Sequence, residues 1–271
     1  MTGSEIILGR AFVLVAAACL LFACDQPAGL LPTIASLPAA TETPAPVWRA
    51  IADGLAWRRL LPNNDELAQL IVIRIDPAYY RFRALYRAGL PATLSEWRAL
   101  EPNASVLINA NFFDADYNAL GLIVSDGVKS SAPYYERGGS FLIKGGEPAV
   151  LANRAPASWL DDDIEQAAQG FPMLVENGER AYRAPSKGER TRRTVIAIDT
   201  SGRILLIVAP FLGLSLADLS AYLPRTDLAI EAALNLDGGR STMLGLPGAE
   251  TMLPSLEPAP AILAAYPRAG N

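Results

Sequence analysis

The alternation of apolar and polar positions predicts a domain built mainly from short strands. Residues 67–76, LAQLIVIRID, are apolar and β-branched, which predicts a central strand ending at Asp76-Pro77. Residues 80–86, YRFRALY, alternate between apolar and polar side chains, which predicts a half-exposed strand beside the first. Further strands are predicted at 105–110, 120–124, 139–144, 193–199 and 203–209, with a hairpin at Thr200-Ser201-Gly202 between the last two.

Helical spacing is confined to two short stretches of the domain. TLSE at 93–96 has the form of a capping box and predicts a helix that runs through Leu100. In SLADLSAYL, residues 215–223, apolar side chains recur at helical spacing, and Pro224 ends the pattern. Many strands with few helices predict an α+β fold class: a single domain on a large, mainly antiparallel sheet with a few flanking helices.

The first 46 residues carry export signals, so they are kept out of the fold prediction. Arg10 precedes 13 apolar residues at 11–23, which are too few to span a bilayer as a helix but suit a signal peptide. The run ends in LLFACDQ, which resembles a bacterial lipobox with Cys24 as the lipidated residue. We therefore expect a signal peptide at 1–23 and an exported lipoprotein that a lipid on Cys24 holds at the bacterial cell membrane. Ordinary secretion with cleavage near Ala23 is the alternative.

A tether is predicted between Cys24 and the folded domain. Residues 24–46 are rich in Pro, Ala and Thr and have no hydrophobic periodicity, which is typical of a linker. No second Pro-rich break divides the rest of the chain, so one domain is predicted over 47–271.

Composition narrows the chemistry that this domain can perform. The chain has 271 residues, of which 51% are hydrophobic, enough for a sizeable core. Its net charge of −5 provides no basic field, so we expect no nucleic-acid partner. It contains no histidine, which excludes a His-centred triad, a His-ligated zinc and an imidazole base. Any reaction must therefore use carboxylates, arginines, lysines, hydroxyls and backbone groups.

Three apolar runs adjoin polar loops, where a rigid sheet can hold binding groups. The first, LINANFFDADYNALGLIVSDG at 107–127, carries Asn109, Asn111, Asp114, Asp116 and Asp126. In the second, ERTRRTVIAID at 189–199, Arg193 and Thr194 open a strand. The third, ALNLDGGRSTMLGL at 233–246, places a polar turn directly after an apolar strand: Asp237, Gly238, Gly239, Arg240 and Ser241.

The two glycines in the third loop allow a backbone conformation that can bind an anion. Gly238 and Gly239 lack Cβ atoms, so the backbone there can adopt a positive φ and a ligand can approach closely. Successive exposed N–H groups in such a turn can form an anion-binding nest. Arg193 and Arg240 can hold phosphate oxygens with two parallel hydrogen bonds, and Ser241 adds a hydroxyl donor.

The loops together resemble the phosphodiester glycosidase family over about residues 47–250. The stretches at 109–113 and 121–127, Arg193-Thr194 and LNLDGGRST stand in the order seen in that family, and Leu-Asp-Gly-Gly is its most specific motif. This chain departs from the family pattern at two positions: Arg240 stands where a third glycine is usual before the serine, and Asn111 stands where the family often has glycine. The resemblance implies a hydrolase that cleaves the glycosidic bond of a sugar-1-phosphodiester in an envelope or extracellular glycan.

Glycoside cleavage commonly uses two carboxyl groups, while a phosphate leaving group needs little proton donation. Asp237 is expected to be the first catalytic carboxylate and Asp126 the second, with Asp114 as the alternative. Substrate-binding roles are expected for Asn109, Asn111, Arg193, Thr194, Gly238, Gly239, Arg240 and Ser241.

Two other interpretations stay open. A catalytically inert glycan- or phosphate-binding lipoprotein on the same fold is favoured by Arg240 and the missing third glycine. A calcium site at Asp114, Asp116 and Asp126 is a weaker hypothesis, since oxygen ligands at alternating positions suit that ion. Otherwise we expect no cofactor.

The lipid attachment predicts the behaviour of a Cys24→Ser variant. Without the thiol no acyl chain can be attached, so the variant should be released from membranes or remain unprocessed. Cell fractionation and the mass of the processed protein measure both outcomes. A Ser variant that stays in the membrane fraction at the parental processed mass would contradict lipidation.

Overall fold

The computed structural model describes residues 47–133, 135–154, 163–184 and 188–269, and strands dominate this part of the chain. These residues belong to one unit, Ala45–Asn271. The expected signal peptide at 1–23 and the tether at 24–46, including Cys24, lie outside the described residues. Among the helices of the described ranges, none has the length and apolar content needed to cross a bilayer.

The strands in chain order are β1 (Arg49–Ala52), β2 (Leu55–Leu60), β3 (Leu70–Ile75), β4 (Tyr80–Tyr86), β5 (Val106–Asn109), β6 (Ile123–Ser125), β7 (Val128–Lys129), β8 (Gly139–Lys144), β9 (Glu147–Ala152), β10 (Gln166–Gly170), β11 (Met173–Glu176), β12 (Glu179–Arg180), β13 (Arg193–Asp199), β14 (Ile204–Ala209), β15 (Ile230–Asn235), β16 (Leu244–Leu246), β17 (Thr251–Leu253) and β18 (Ala261–Pro267). The α-helices of the described ranges are α1 (Leu94–Leu100) and α2 (Leu216–Tyr222). Short 3-10 turns occur at Pro62–Asn64, Glu66–Ala68, Leu223–Arg225, Gly239–Ser241 and Pro247–Ala249.

The strands pair in three sheets, and every described pairing between strands is antiparallel. The largest sheet has the order β1-β2-β3-β14-β13-β15-β11-β12, and the five-stranded sheets have the orders β7-β6-β10-β8-β9 and β17-β16-β5-β18-β4. The prediction of antiparallel pairing is confirmed. The prediction of one large sheet with flanking helices is corrected, because the strands divide into three sheets and each α-helix has only seven residues.

Local signals in the sequence correspond to local structure. The Thr93 side chain and Glu96 form a capping box at the start of α1, and Ser215 and Asp218 form another at α2. β13 and β14 form the predicted hairpin, in which Gly202 has a φ of +78°. Each of these features is determined by a few neighbouring residues, which explains why the sequence pattern predicted them.

One predicted strand lies in a different sheet from the one expected. YRFRALY forms β4, but β4 pairs with β18 rather than with β3, whose partners are β2 and β14. Alternating polarity determines which face of a strand is buried, but it does not specify the neighbouring strand. The partner of β4 lies at the far end of the chain, so local pattern could not identify it.

One apolar core joins all three sheets and fixes the positions of their edges. Ile73 and Ile196 of the largest sheet, Phe141 of the second and Ile108 of the third are fully buried in it. Because β13 and β15 are antiparallel, the start of β13 meets the end of β15 at one edge of the largest sheet. The polar loop before β13 and the polar turn after β15 therefore meet there.

Candidate functional site

The site is built around the turn at residues 237–242, which follows β15. The Asp237 amide donates to the Ala110 carbonyl at 2.9 Å, just beyond β5, and thereby joins the turn to the third sheet. The Gly239 amide donates to the Arg192 carbonyl at 2.8 Å, just before β13. The turn is thus held by two other stretches that carry family motifs, the one around Asn109 and the one before Thr194.

Asn109 is the side chain that binds these stretches together. It is fully buried; its amide group donates to the Asp237 carbonyl at 2.7 Å, and its Oδ1 accepts from the Thr194 hydroxyl at 2.7 Å. The same oxygen accepts from the Met243 amide at 3.1 Å. Asn109 and Thr194 were expected to bind substrate, but both are fully buried and bonded to protein. In this structure they position the turn.

The two glycines of the turn have different roles. Gly239 has a φ of +64°, a conformation that residues with a Cβ rarely adopt. Gly238 has a negative φ, but a Cβ there would lie 2.9 Å from the Arg192 carbonyl oxygen. One glycine therefore permits the bend, and the other permits close contact with the backbone before β13.

The carboxyl group of Asp237 is shielded from water and held by its own turn. Its Oδ1 accepts from the Gly238 amide at 2.8 Å, and its Oδ2 accepts a short hydrogen bond from the Ser241 hydroxyl. Burial raises the pKa of Asp237 to about 6; the bonds from Ser241 and Gly238 oppose this rise, and the charge of Glu257 adds to it. Asp237 thus titrates close to neutral pH while it remains partly accessible to solvent.

Arg193 opens β13 beside this turn as a buried cation. Its Nη2 donates to the Glu189 carbonyl at 2.7 Å, and its Nε has no hydrogen-bond partner within the described ranges. Burial lowers the pKa of Arg193 from its ordinary value, the main cause being loss of hydration. A buried guanidinium with an unused donor has the chemistry to bind an anion.

Arg192, which the sequence analysis did not assign, braces the same turn. It is buried, and its Nη2 donates to the carbonyls of Thr242 at 2.8 Å and Pro254 at 3.0 Å. Its position in the run of arginines made it resemble a surface residue. The signal that could have distinguished it is its place directly before a buried strand.

The side chain of Arg240, which was expected to bind phosphate, is paired with Glu257. Its side chain is 67% exposed and its Nε donates to Glu257 Oε2 at 3.2 Å. Arg240 is thus paired with an acidic side chain, and its role as a phosphate ligand stays a prediction. Ser241, by contrast, is buried and donates to Asp237, so it orients the carboxyl group.

Two buried asparagines border the site, each with an unused oxygen. The Asn111 amide group lies 3.1 Å from the Leu122 carbonyl, and the Asn235 amide group donates to the Phe171 carbonyl at 2.7 Å. In the part of the chain that the structure describes, neither Oδ1 has a partner. Asn235 lies two residues before Asp237 and was missed because it belongs to an apolar run.

Asp126, the expected second carboxylate, is held elsewhere. It forms an ion pair with Arg83 and accepts from the Gln166 amide group at 2.6 Å. The Arg83 hydrogen bond is the main cause that lowers the pKa of Asp126. These contacts hold Asp126 against β4 and β10, and its role as the second carboxylate of the site stays a prediction.

The other two aspartates of the first loop shape that loop. Asp114 Oδ1 accepts from the amides of Asp116 at 3.0 Å and Asn118 at 2.8 Å, and the Asn118 amide is the main cause that lowers the pKa of Asp114. Among the described residues, no group of three or more Asp, Glu, His or Cys side chains is placed to hold a metal ion. Asp114, Asp116 and Asp126 are therefore not gathered as the calcium hypothesis requires.

Glu257 is a further residue near Asp237 that sequence reasoning missed. It lies 20 positions after Asp237 in a proline-flanked loop, SLEPAP, that carries no recognised motif. It is bonded to Arg240, and its charge contributes to the raised pKa of Asp237. Local pattern gives no signal for such a contact between distant positions.

Comparison with solved structures shows the same fold in other proteins. A hypothetical protein from Synechocystis matches with a TM-score of 0.61 and 18% identity, covering 84% of this chain and 64% of that chain. The catalytic domain of zebrafish N-acetylglucosamine-1-phosphodiester alpha-N-acetylglucosaminidase, auto-inhibited by its pro-peptide, matches with a TM-score of 0.61 and 16% identity, covering 84% and 86%. A putative exported protein from Burkholderia pseudomallei K96243 matches with a TM-score of 0.54 and 14% identity, covering 79% and 74%.

The comparison with protein-family models finds a match over the part of the chain that contains the site. No match is found among curated proteins. The phosphodiester glycosidase family matches residues 102–257, a segment that includes Asn109, Arg193, Asp237 and Glu257. Because this match spans more than half of the sequence, the chain belongs to the phosphodiester glycosidase family.

Proposed function

We propose that this protein is a hydrolase that cleaves the glycosidic bond of a sugar-1-phosphodiester in an envelope or extracellular glycan. One observation carries the proposal: Asp237, a shielded carboxyl group with a pKa of about 6, lies on a glycine turn bonded to the backbone next to Arg193. Membership of the phosphodiester glycosidase family supports the reaction class.

The two side chains suit opposite charges in the transition state. As the bond breaks, positive charge develops on the sugar carbon and negative charge on the phosphate. Asp237 faces the sugar carbon, directly or through a water molecule, and Arg193 binds the departing phosphate. An electrostatic contact of this kind is worth roughly 3–4 kcal/mol in an enzyme site.

The setting proposed for this activity is the cell envelope. A lipid on Cys24 and the tether at 24–46 would hold the domain at a bacterial membrane, within reach of phosphodiester-linked glycans. An inert glycan- or phosphate-binding lipoprotein is the alternative, which the absence of turnover in the experiments below would favour.

The first prediction concerns the shape of the turn. Gly239→Val places a β-branched residue at a φ of +64°, so we expect activity to be lost, with a decrease of about 1–3 kcal/mol in the free energy of unfolding. The matched control is Gly127→Val in the turn between β6 and β7. Gly127 has a φ of +82°, and a Cβ added there would meet no atom within 4 Å. Urea denaturation and turnover of a chromogenic sugar-1-phosphodiester are measured for both. Parental turnover by Gly239→Val would mean that the turn only connects strands.

The second prediction concerns the division of labour in the site. Asp237→Asn keeps the side-chain size but removes the charge, so turnover should fall by at least about 100-fold while substrate still binds. Arg193→Lys keeps the charge but loses the forked geometry, so turnover and affinity should both decrease. Asp53→Asn, at an exposed position, is the matched control and should keep parental turnover.

The pH profile follows from the pKa of Asp237. If the ionised form is the active one, parental turnover should rise with pH through a midpoint near 6 and then level off. The raised pKa also means that ionising Asp237 lowers the free energy of unfolding as pH rises from about 4 to about 6, a loss that Asp237→Asn removes.

A folded Asp237→Asn protein with near-parental turnover would contradict the mechanism. Repeating the assay with a chelator tests whether a divalent cation is needed.

A further inference from the structure

The segment at residues 254–257 folds back onto the Asp237 turn and is fixed there by backbone contacts. The Pro254 carbonyl accepts from Arg192, and the Arg240 carbonyl accepts from the amides of Leu256 at 2.6 Å and Glu257 at 3.2 Å. The Arg240 side chain returns the contact, since its Nε donates to Glu257 Oε2. Glu257 is therefore held at the site through both its backbone and its carboxylate.

The carboxyl groups of Asp237 and Glu257 are held in different ways, although both residues are partly exposed. Asp237 is shielded and bonded to its own turn, whereas the side chain of Glu257 is 37% exposed. Within the described ranges, the hydrogen bond recorded for the Glu257 carboxylate is the one from Arg240 to Oε2. An exposed carboxylate can exchange protons with solvent, while a shielded one is better suited to stabilise charge.

We propose that Glu257 is the second carboxyl group of the site and acts as the general base. This inference rests on the proposed function and assigns the role first expected of Asp126 or Asp114. The geometry that carries it is the attachment of Glu257 to Arg240, a residue of the same turn that presents Asp237.

The reaction step balances without a cofactor. A water oxygen forms a bond to the anomeric carbon, one proton of that water passes to the Glu257 carboxylate, and the carbon–oxygen bond to phosphate breaks. The phosphate leaves with the bonding electron pair, and Glu257 returns its proton to solvent. Asp237 stabilises the positive charge on the sugar carbon during this exchange.

Arg240 is a positioning residue in this arrangement. Its guanidinium holds the Glu257 carboxylate in place through the hydrogen bond from Nε to Oε2. This role accounts for a large cation in a turn that otherwise relies on glycine.

Chemical rescue distinguishes a base from a structural carboxylate. Glu257→Ala should lower turnover of a chromogenic sugar-1-phosphodiester by at least about 100-fold. Added azide, which attacks the sugar without losing a proton, should restore turnover and yield a glycosyl azide. Glu147→Ala, at an exposed strand position, is the control and should show parental turnover with no azide effect.

A second variant separates charge from packing. Glu257→Gln keeps the size of the side chain, and loss of its negative charge should lower the pKa of Asp237 below about 6, as measured by carboxyl NMR titration of the full chain. Turnover by Glu257→Ala near the parental rate, or a large loss without azide rescue, would overturn only the assignment of Glu257 as the base and would leave the proposed function standing. A parental protein with no turnover would overturn the proposed function itself.

Discussion

The position of Asp237 depends on the buried side chain of Asn109. The Asn109 amide nitrogen donates to the Asp237 carbonyl at the start of the turn. The Asn109 amide oxygen accepts from the Met243 amide just after the turn and from the Thr194 hydroxyl in β13. Since Asn109 lies in β5, these bonds join the third sheet to the largest one at the edge where the site forms. A buried amide that loses a partner costs about 1–3 kcal/mol, so the sheets and the turn are held in one relative arrangement.

The raised pKa of Asp237 matters because this chain contains no histidine. An imidazole is the usual side chain that changes charge near neutral pH, and this chain has none. Burial raises the pKa of Asp237 to about 6, so a carboxyl group titrates in the range that histidine normally covers. The Ser241 and Gly238 donors keep the carboxylate satisfied, which allows it to ionise despite its surroundings.

Sequence patterns predicted the local elements and the order of the motifs, because each depends on neighbouring residues. The capping boxes of α1 and α2, the β13–β14 hairpin and the Asp-Gly-Gly turn are of this kind. The pairing of β4 with β18 and the contact of Glu257 with Arg240 join distant positions, for which polarity and spacing carry no signal. Asp126 resembled a site residue because Asp-Gly follows a strand, but Arg83 from β4 pairs with it.

The central claim is that water attacks the sugar carbon and not the phosphorus. Hydrolysis of a sugar-1-phosphodiester in ¹⁸O-labelled water, followed by mass spectrometry of both products, measures which atom receives the water oxygen. We predict that the label appears in the released sugar and that the phosphate product remains unlabelled, because Asp237 and Arg193 are suited to a departing phosphate. Label in the phosphate product would mean cleavage of a phosphorus–oxygen bond and would contradict the account.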